Sequence, residues 1–151
     1  MFSYLCKRFL CLTLASTMAF VCLLSVYLSR VCKLSLLQGE RTFYLCSPSS
    51  QAVQTKTPAF FELAHVHGES VVLEIPAEDW KGDTDAFAWE IGGRYGASYL
   101  FCEKTQDVTS YYFYAPALYT GVVINGQCVN LHVAVSTTQC TVGSPLIFGG
   151  F

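Results

Sequence analysis

An uncharged apolar stretch near the N-terminus constrains this chain more than any other feature. Residues 9–29, FLCLTLASTMAFVCLLSVYLS, are 21 residues without a charge. A helix of that length measures roughly 30 Å, the thickness of the hydrocarbon core of a bilayer. The whole chain has 151 residues, so a domain large enough to bury such a helix is not available. We therefore predict that residues 9–29 form a transmembrane helix.

Basic residues flank this stretch on both sides, so the positive-inside rule is nearly balanced. By analogy with signal anchors, we expect residues 1–8 to stay in the cytoplasm. Residues 30–40 would then be a spacer, and residues 41–151 a domain outside the cytoplasm at the cell membrane. A cleaved signal peptide is one alternative, with Thr17 and Ala19 as the small residues before the cleavage site. The other is a domain that faces the cytoplasm and regulates a membrane complex.

The charge of the domain limits its partners. After Lys33 the chain carries five basic and eleven acidic side chains, a formal charge of −6. Phosphate groups and anionic lipid surfaces repel an acidic domain of this kind. We therefore predict that nucleic acid is not a partner.

The pattern beyond residue 40 predicts an α+β fold. Runs of β-forming residues recur between turns. Two of the predicted strands, YTGVVI and CVNLHVAV, flank Asn125-Gly126, a strong hairpin signal. Helical segments are expected at 57–66, which begins near Pro58 and is stopped by Gly68, and at 84–95, after the capping residue Asp83. We predict an N-terminal transmembrane helix followed by a small domain with one principal helix and a mainly antiparallel sheet of about five to seven strands.

The apolar C-terminus is predicted to be structural. The last residues, CTVGSPLIFGGF, carry no charged side chain, and burying each large apolar side chain contributes about 1.5–3 kcal/mol. We expect a final strand docked into the sheet or under the helix, with its removal unfolding the domain. An exposed docking peptide is the alternative. The residues assigned to this strand are Gly143, Pro145, Leu146, Ile147 and Phe148.

The same region resembles the end of the YwmB family of spore-forming Gram-positive bacteria. That family has an Asn-Leu-x-apolar-Ala strand, a short turn and a Val-Gly-Ser/Thr-Pro run. The matching residues here are Asn130, Leu131, Ala134, Val142, Gly143, Ser144, Pro145, Leu146 and Ile147. The resemblance implies a membrane-anchored or exported protein of uncharacterised function, linked to sporulation, whose fold is compared with that of the TATA-box-binding protein. DNA binding does not follow from that shape.

One short stretch has the residue types of a metal site. In an extended chain, His65, His67 and Glu69 would lie on one face, and this spacing can ligate zinc, with His132 as a further ligand. Solvent-exposed histidines in a turn are the alternative reading. An envelope enzyme or metal-binding protein that uses these residues is therefore our alternative function.

No catalytic signature is found in the sequence. It has no Gly-x-Ser-x-Gly elbow and no phosphate-binding loop. We predict no cofactor and a protein that is not an enzyme.

Four cysteines belong to the domain: Cys46, Cys102, Cys128 and Cys140. None forms a Cys-x-x-Cys motif, and all stand among apolar neighbours, where a thiol behaves as a small core side chain. We expect buried thiols, with disulfides as the alternative outside the cytoplasm.

A run of aromatic residues is the candidate binding surface. Tyr111, Tyr112, Phe113 and Tyr114 are consecutive, so half of them would face the core and half would face outward. Trp80, Trp89 and Tyr119 are further aromatic candidates for the same surface. The outward half could stack on a glycan or contact a peptide. The leading prediction is a single-pass membrane protein whose domain binds or scaffolds a partner, an envelope protein or glycan, at the cell envelope.

Overall fold

The computed structural model describes residues 2–74 and 83–148, with the side chains of residues 2–6 and 28–30 outside the description. The chain divides into two units, Met1–Cys32 and Lys33–Phe151. The first contains helix α1, Phe2–Val31. Within it, the segment Lys7–Tyr27 has a mean hydropathy of 2.2 and is long and apolar enough to cross a membrane. This is compatible with a single-pass anchor and also with a signal sequence.

The second unit is built on β-strands. In chain order, those of the described residues are β1 Glu40–Leu45, β2 Val53–Thr55, β3 Val66–Glu74, β4 Ser98–Lys104, β5 Thr109–Tyr114, β6 Val122–Ile124, β7 Gln127–Val129, β8 Leu131–Val135 and β9 Gln139–Ser144. Seven of them form one antiparallel sheet, in the order β2-β1-β3-β9-β8-β5-β4. A separate hairpin of β6 and β7 turns at Asn125-Gly126, where both residues have positive φ. The predicted α+β fold is confirmed.

Helix α2, Thr84–Arg94, packs over β5 and β8, as predicted for residues 84–95. Its N-terminus is capped by Asp83, whose carboxylate accepts a hydrogen bond of 3.0 Å from the Ala86 N–H. Gly92 permits the close approach, since a Cβ there would lie 2.9 Å from the Phe113 ring. We call this side of the sheet the helix face. Its core includes Val71, Tyr111, Phe113, Leu131, Val133, Val142, Ala88 and Ile91.

The chain after β9 lies against the opposite side of the sheet, which we call the tail face. A Cβ on Gly143 would lie 2.7 Å from the Ile147 side chain. The Phe148 ring meets the Tyr44 ring edge-on at 5.0 Å, and the Phe148 N–H donates to the Tyr44 hydroxyl at 3.2 Å. The apolar terminus therefore covers part of the second face of the sheet.

The predicted C-terminal strand extends further along the chain than the strand in the structure. Gly143 belongs to β9, but the strand ends at Ser144, and the next residue, Pro145, follows a cis peptide bond. Proline has no N–H to donate to a strand ladder. Leu146, Ile147 and Phe148 are thus half-buried outside the sheet, where they pack as side chains without pairing as a strand.

The predicted spacer, residues 30–40, is partly wrong. From Lys33 onward these residues belong to the domain, and Leu34 and Leu37 are members of its core. The Leu37 N–H donates to the Leu34 carbonyl at 3.0 Å and closes a turn. Both leucines of this turn point into the core. Because each burial removes apolar area from water, this segment stabilises the domain.

The helix predicted over residues 57–66 is also wrong. The segment contains a turn and a short 3₁₀ helix, Leu63–His65. Gly68, expected to end the helix, lies within β3, where a Cβ would lie 2.6 Å from the Ser144 carbonyl oxygen. At the end of the stretch, Val66 pairs with Leu45 of β1, and the Cys46 N–H donates to the His65 carbonyl at 2.9 Å. These tertiary contacts outweigh the weak helical propensity there.

Asn130 divides what the sequence reads as one strand after the hairpin. It is buried between β7 and β8. Its side-chain oxygen accepts from the Ala115 N–H, and its amide nitrogen donates to the Ala115 carbonyl, each at 2.7 Å. A third bond of 3.1 Å reaches the Tyr119 carbonyl. The side chain thereby provides the partner of the buried Ala115 N–H and a second donor to the Ala115 carbonyl, which also accepts from the Leu118 N–H at 3.1 Å.

Candidate functional site: the aromatic edge of the sheet

The predicted metal residues do not come together. His65 ends the 3₁₀ helix and His67 lies in β3, and both are exposed, whereas Glu69 is fully buried. His132 lies on β8 and points to the tail face, where it stacks on Tyr112. Among the residues described, no group of three or more His, Cys, Asp or Glu side chains could hold a metal ion. The geometry therefore gives no support to a zinc site here.

A β-bulge explains why the spacing argument fails. The pairing of β1 with β3 shifts between Tyr44, which opposes Gly68, and Leu45, which opposes Val66. His67 is the extra residue, and a bulge breaks the strict alternation of side chains along a strand. Glu69 then points into the core under the helix face. Gly68, which directly follows the extra residue, is the one local signal, because a glycine inside a strand often marks a bulge.

Glu69 forms an ion pair with Arg41. Its carboxylate also accepts from the Leu34 N–H at 2.6 Å, while the Arg41 guanidinium donates to the carbonyls of Leu34 at 3.1 Å and Leu37 at 3.3 Å. Burial raises the pKa of Glu69, and the Leu34 N–H and Arg41 act against that rise. The pair holds residues 33–37 on the sheet and has a structural role.

The aromatic run on β5 divides between the two faces, as its alternation predicts. Tyr111 and Phe113 are buried on the helix face. The Tyr111 hydroxyl donates to Asp85 and lies 2.7 Å from the Thr84 hydroxyl. Burial and the Asp85 carboxylate raise the pKa of Tyr111 to about 12. These two residues are structural and are removed from the candidate binding surface.

Tyr112 and Tyr114 point to the tail face. Tyr112 is the middle ring of a stack: its centroid lies 4.5 Å from that of Phe101 on β4 and 4.6 Å from that of His132 on β8. The pKa of Tyr112 is raised, mainly by burial and then by the charge of Glu103. Tyr114 is 40% exposed. The sequence reasoning did not name Phe101, which reaches this face through the bulge between Tyr99 and Phe101. Trp80, another aromatic candidate from the sequence, lies outside the described residues.

Exposed aromatic rings also lie at the same edge of the helix face. Trp89 on α2 is 49% exposed and Tyr99 on β4 is 39% exposed. Their centroids are 4.8 Å apart, and both rings contact Phe113 at 5.8 Å. Trp89 therefore rests on the sheet while presenting about half of its surface to solvent. We define the aromatic edge as Trp89, Tyr99, Phe101, Tyr112 and Tyr114.

The strand that carries this edge is the last one in the sheet. β4 pairs with β5 on one side, and no other strand of the described residues pairs with it. Such an edge exposes backbone N–H and C=O groups that can pair with an added strand. An added strand would place alternate side chains against Trp89 and Tyr99 on one face and Phe101 on the other. The arrangement is suited to binding an extended segment.

The cysteines differ from the prediction of buried thiols. Cys140 is buried, but Cys46, Cys102 and Cys128 are exposed, and all four are free thiols. Each exposed cysteine has a local reason: Cys46 follows β1 with a φ of 66°, Cys102 lies on the edge strand, and Cys128 lies on the small hairpin. An apolar neighbourhood in sequence does not imply burial at an edge.

Comparisons with models of protein families, with curated proteins and with solved structures found no match for this chain. The YwmB resemblance therefore stays a prediction. Its residues do contact one another in this fold. The Ser144 hydroxyl donates to the Asn130 carbonyl at 2.7 Å, and Gly143 lies beneath the chain at Leu146 and Ile147. The motif has a structural basis that involves no reactive group.

Proposed function

We propose that this chain is a single-pass membrane protein whose α+β domain lies outside the cytoplasm and binds a protein partner of the cell envelope. One observation carries the proposal: the aromatic edge combines exposed rings with an outer strand, β4, whose second side pairs with no strand among the described residues. Aromatic residues are enriched where proteins bind one another, and an edge strand adds backbone pairing. The partner would contribute an extended segment.

The role is that of a binding or scaffolding protein. Among the described residues, no cluster of metal-ligating side chains accompanies the aromatic edge. The YwmB resemblance supports a sporulation-linked setting, in which an anchored domain recruits another envelope protein. Apolar and aromatic contacts rather than charge would supply the affinity, because the rings of the edge are uncharged.

Photo-crosslinking in the native membrane tests this proposal. Benzoylphenylalanine would replace Tyr99 or Tyr114 in the full chain, one on each face of the edge. The control is the same replacement at Val123, which is 74% exposed on the small hairpin. We expect a discrete protein adduct from positions 99 and 114 that is absent from position 123.

Two results would contradict the proposal. Either no adduct forms from the edge positions, or the same adducts form from all three positions. An adduct whose added mass is that of a glycan would show that the ligand is a sugar and not a protein. A sugar is the other ligand that an aromatic platform can hold.

A further inference from the structure

Two neighbouring phenylalanines are exposed on the turn between β2 and β3. Phe60 is 67% exposed and Phe61 is 75% exposed. Exposing one large apolar side chain in place of burying it forgoes about 1.5–3 kcal/mol. Two adjacent exposed rings thus form a local apolar surface on this turn. The turn lies at a different part of the chain from the residues of the aromatic edge.

The backbone of this turn is already hydrogen-bonded within itself. The Glu62 and Leu63 N–H groups donate to the Ala59 carbonyl at 2.9 and 3.3 Å. The Glu62 carboxylate accepts in return from the Ala59 N–H at 2.7 Å. The only charged side chain between Lys56 and Leu63 is therefore bonded to the turn's own backbone. Moving the tip out of water would not leave these polar groups without partners, which is the main cost of placing backbone near lipid.

The composition of the turn is typical of segments that lie at a membrane interface. Phenylalanine is among the residues that interfacial segments bury in the headgroup layer. Lys56, which precedes the two rings, is exposed and forms an ion pair with Glu40. Apolar burial of this kind gives only weak binding when it acts alone. A domain tethered to the same membrane experiences a high effective concentration of bilayer, so weak contacts become populated.

The tether is short in this chain. Helix α1 ends at Val31, and the folded domain begins at Lys33. We propose that the Phe60–Phe61 turn inserts into the interfacial layer of the bilayer that holds α1, as a second membrane contact of the domain. This inference rests on the membrane anchoring in the proposed function, and it is independent of the partner bound at the aromatic edge.

Fluorescence quenching by brominated lipid tests the insertion directly. The full chain would be reconstituted in vesicles of phosphatidylcholine, a lipid without net charge, that contain dibrominated phosphatidylcholine. The variant Phe61→Trp reports on the turn, and Val123→Trp, at a site that is 74% exposed, is the matched control. The parent chain gives the background from Trp80 and Trp89. Equal thermal unfolding of the variants and the parent confirms that the substitutions leave the fold intact.

We expect the emission added by the tryptophan at position 61 to be quenched by brominated lipid at least about twofold more than that added at position 123, and to be shielded from aqueous iodide. Equal lipid quenching at the two sites would overturn the insertion. So would shielding of position 61 from both quenchers, which would indicate contact with protein. Failure of the parent chain to float with vesicles after an alkaline wash would overturn the anchoring as well, and with it the proposed function.

Discussion

The carboxylate of Glu69 is fully buried and bonds both the Arg41 side chain and the Leu34 N–H. Arg41 in turn donates to two carbonyls of the segment that follows α1. One buried acid thus joins the centre of the sheet to the first residues of the domain. A residue with the chemistry of a metal ligand has a structural role here because its partner is a guanidinium.

Removing either member of this pair should destabilise the domain. We expect Arg41→Ala and Glu69→Ala each to lower the free energy of unfolding by about 3 kcal/mol, since each leaves a buried charge or donor without its partner. The double variant Arg41→Met with Glu69→Leu should be less destabilised than the sum of its single variants. Urea unfolding of the full chain in detergent, followed by near-ultraviolet circular dichroism, measures these changes.

The exposed pair of Glu90 and Arg94 on α2 is the control. Its removal should change the free energy of unfolding by no more than about 0.5 kcal/mol. An effect at Arg41 that is no larger than this would contradict the role assigned to the buried pair.

Substitutions of Asn130 are expected to lower the stability of the domain by amounts that depend on which hydrogen bonds the new side chain retains. Asn130→Ala leaves the Ala115 N–H buried without a partner, which should cost about 1–3 kcal/mol. The Ala115 carbonyl keeps the Leu118 N–H as a donor at 3.1 Å. Asn130→Asp retains an acceptor for the Ala115 N–H but loses the donor to the Ala115 carbonyl, so it should also destabilise the fold. Asn125→Gly, in the hairpin turn, is the control and should have little effect because φ is already positive there. Equal stability of the Asn125 and Asn130 variants would refute this assignment.

His132 should make the domain less stable in mild acid. Burial lowers the pKa of His132 to about 4 from its ordinary value of 6.5. Between these values the unfolded chain binds more protons at this site than the folded chain, so stability falls as the pH falls from about 6.5 to 4. The full loss is about 3 kcal/mol.

The measurement compares unfolding of the parent and His132→Phe across this range, because phenylalanine retains a ring against Tyr112 but cannot titrate. The parent should lose more stability than the variant as the pH falls. Parallel pH profiles would show that His132 carries no such linkage. Only the difference between the two profiles is informative, since the buried Glu69 contributes to both.

The C-terminal segment should stabilise the domain through its side chains. We expect Phe148→Ala to lower the free energy of unfolding by about 1–2 kcal/mol, less than for a fully buried ring, because Phe148 is half-buried against Tyr44. Truncation after Ser144 should cause a larger loss by exposing the tail face. Val123→Ala, at an exposed site, is the control and should fall within about 0.5 kcal/mol of the parent. A truncated chain that melts like the parent would mean that the tail is not part of the fold.

Local patterns in the sequence predicted the elements that depend on local physics. The apolar stretch, the α2 segment after Asp83 and the Asn125-Gly126 hairpin all have signals within a few residues, and the structure has each of them. The same holds for the alternation in β5, which separates Tyr111 and Phe113 from Tyr112 and Tyr114.

The predictions that were wrong or incomplete concern features that depend on contacts between residues far apart in the chain. The bulge at His67 follows from the pairing of β3 with β1, and the break at Asn130 follows from its bonds to a loop 15 residues away. Leu34 and Leu37 were assigned to a spacer because the core that buries them forms only when the sheet folds. The aromatic edge was predicted in part, since Trp89, Tyr112 and Tyr114 were candidates from the sequence. Phe101 and Tyr99 join it only through the order of strands.

The location of the domain is the claim on which the proposed function most depends, and native thiols allow it to be measured directly. Cys46, Cys102 and Cys128 are exposed, while Cys140 is buried and burial raises the pKa of its thiol to about 12. Intact cells would be treated with a membrane-impermeant reductant and then a membrane-impermeant maleimide, and the labelled peptides would be mapped by mass spectrometry. We expect labelling at positions 46, 102 and 128 in intact cells, with position 140 unlabelled. Labelling of these positions only after lysis would place the domain in the cytoplasm and refute the proposed location.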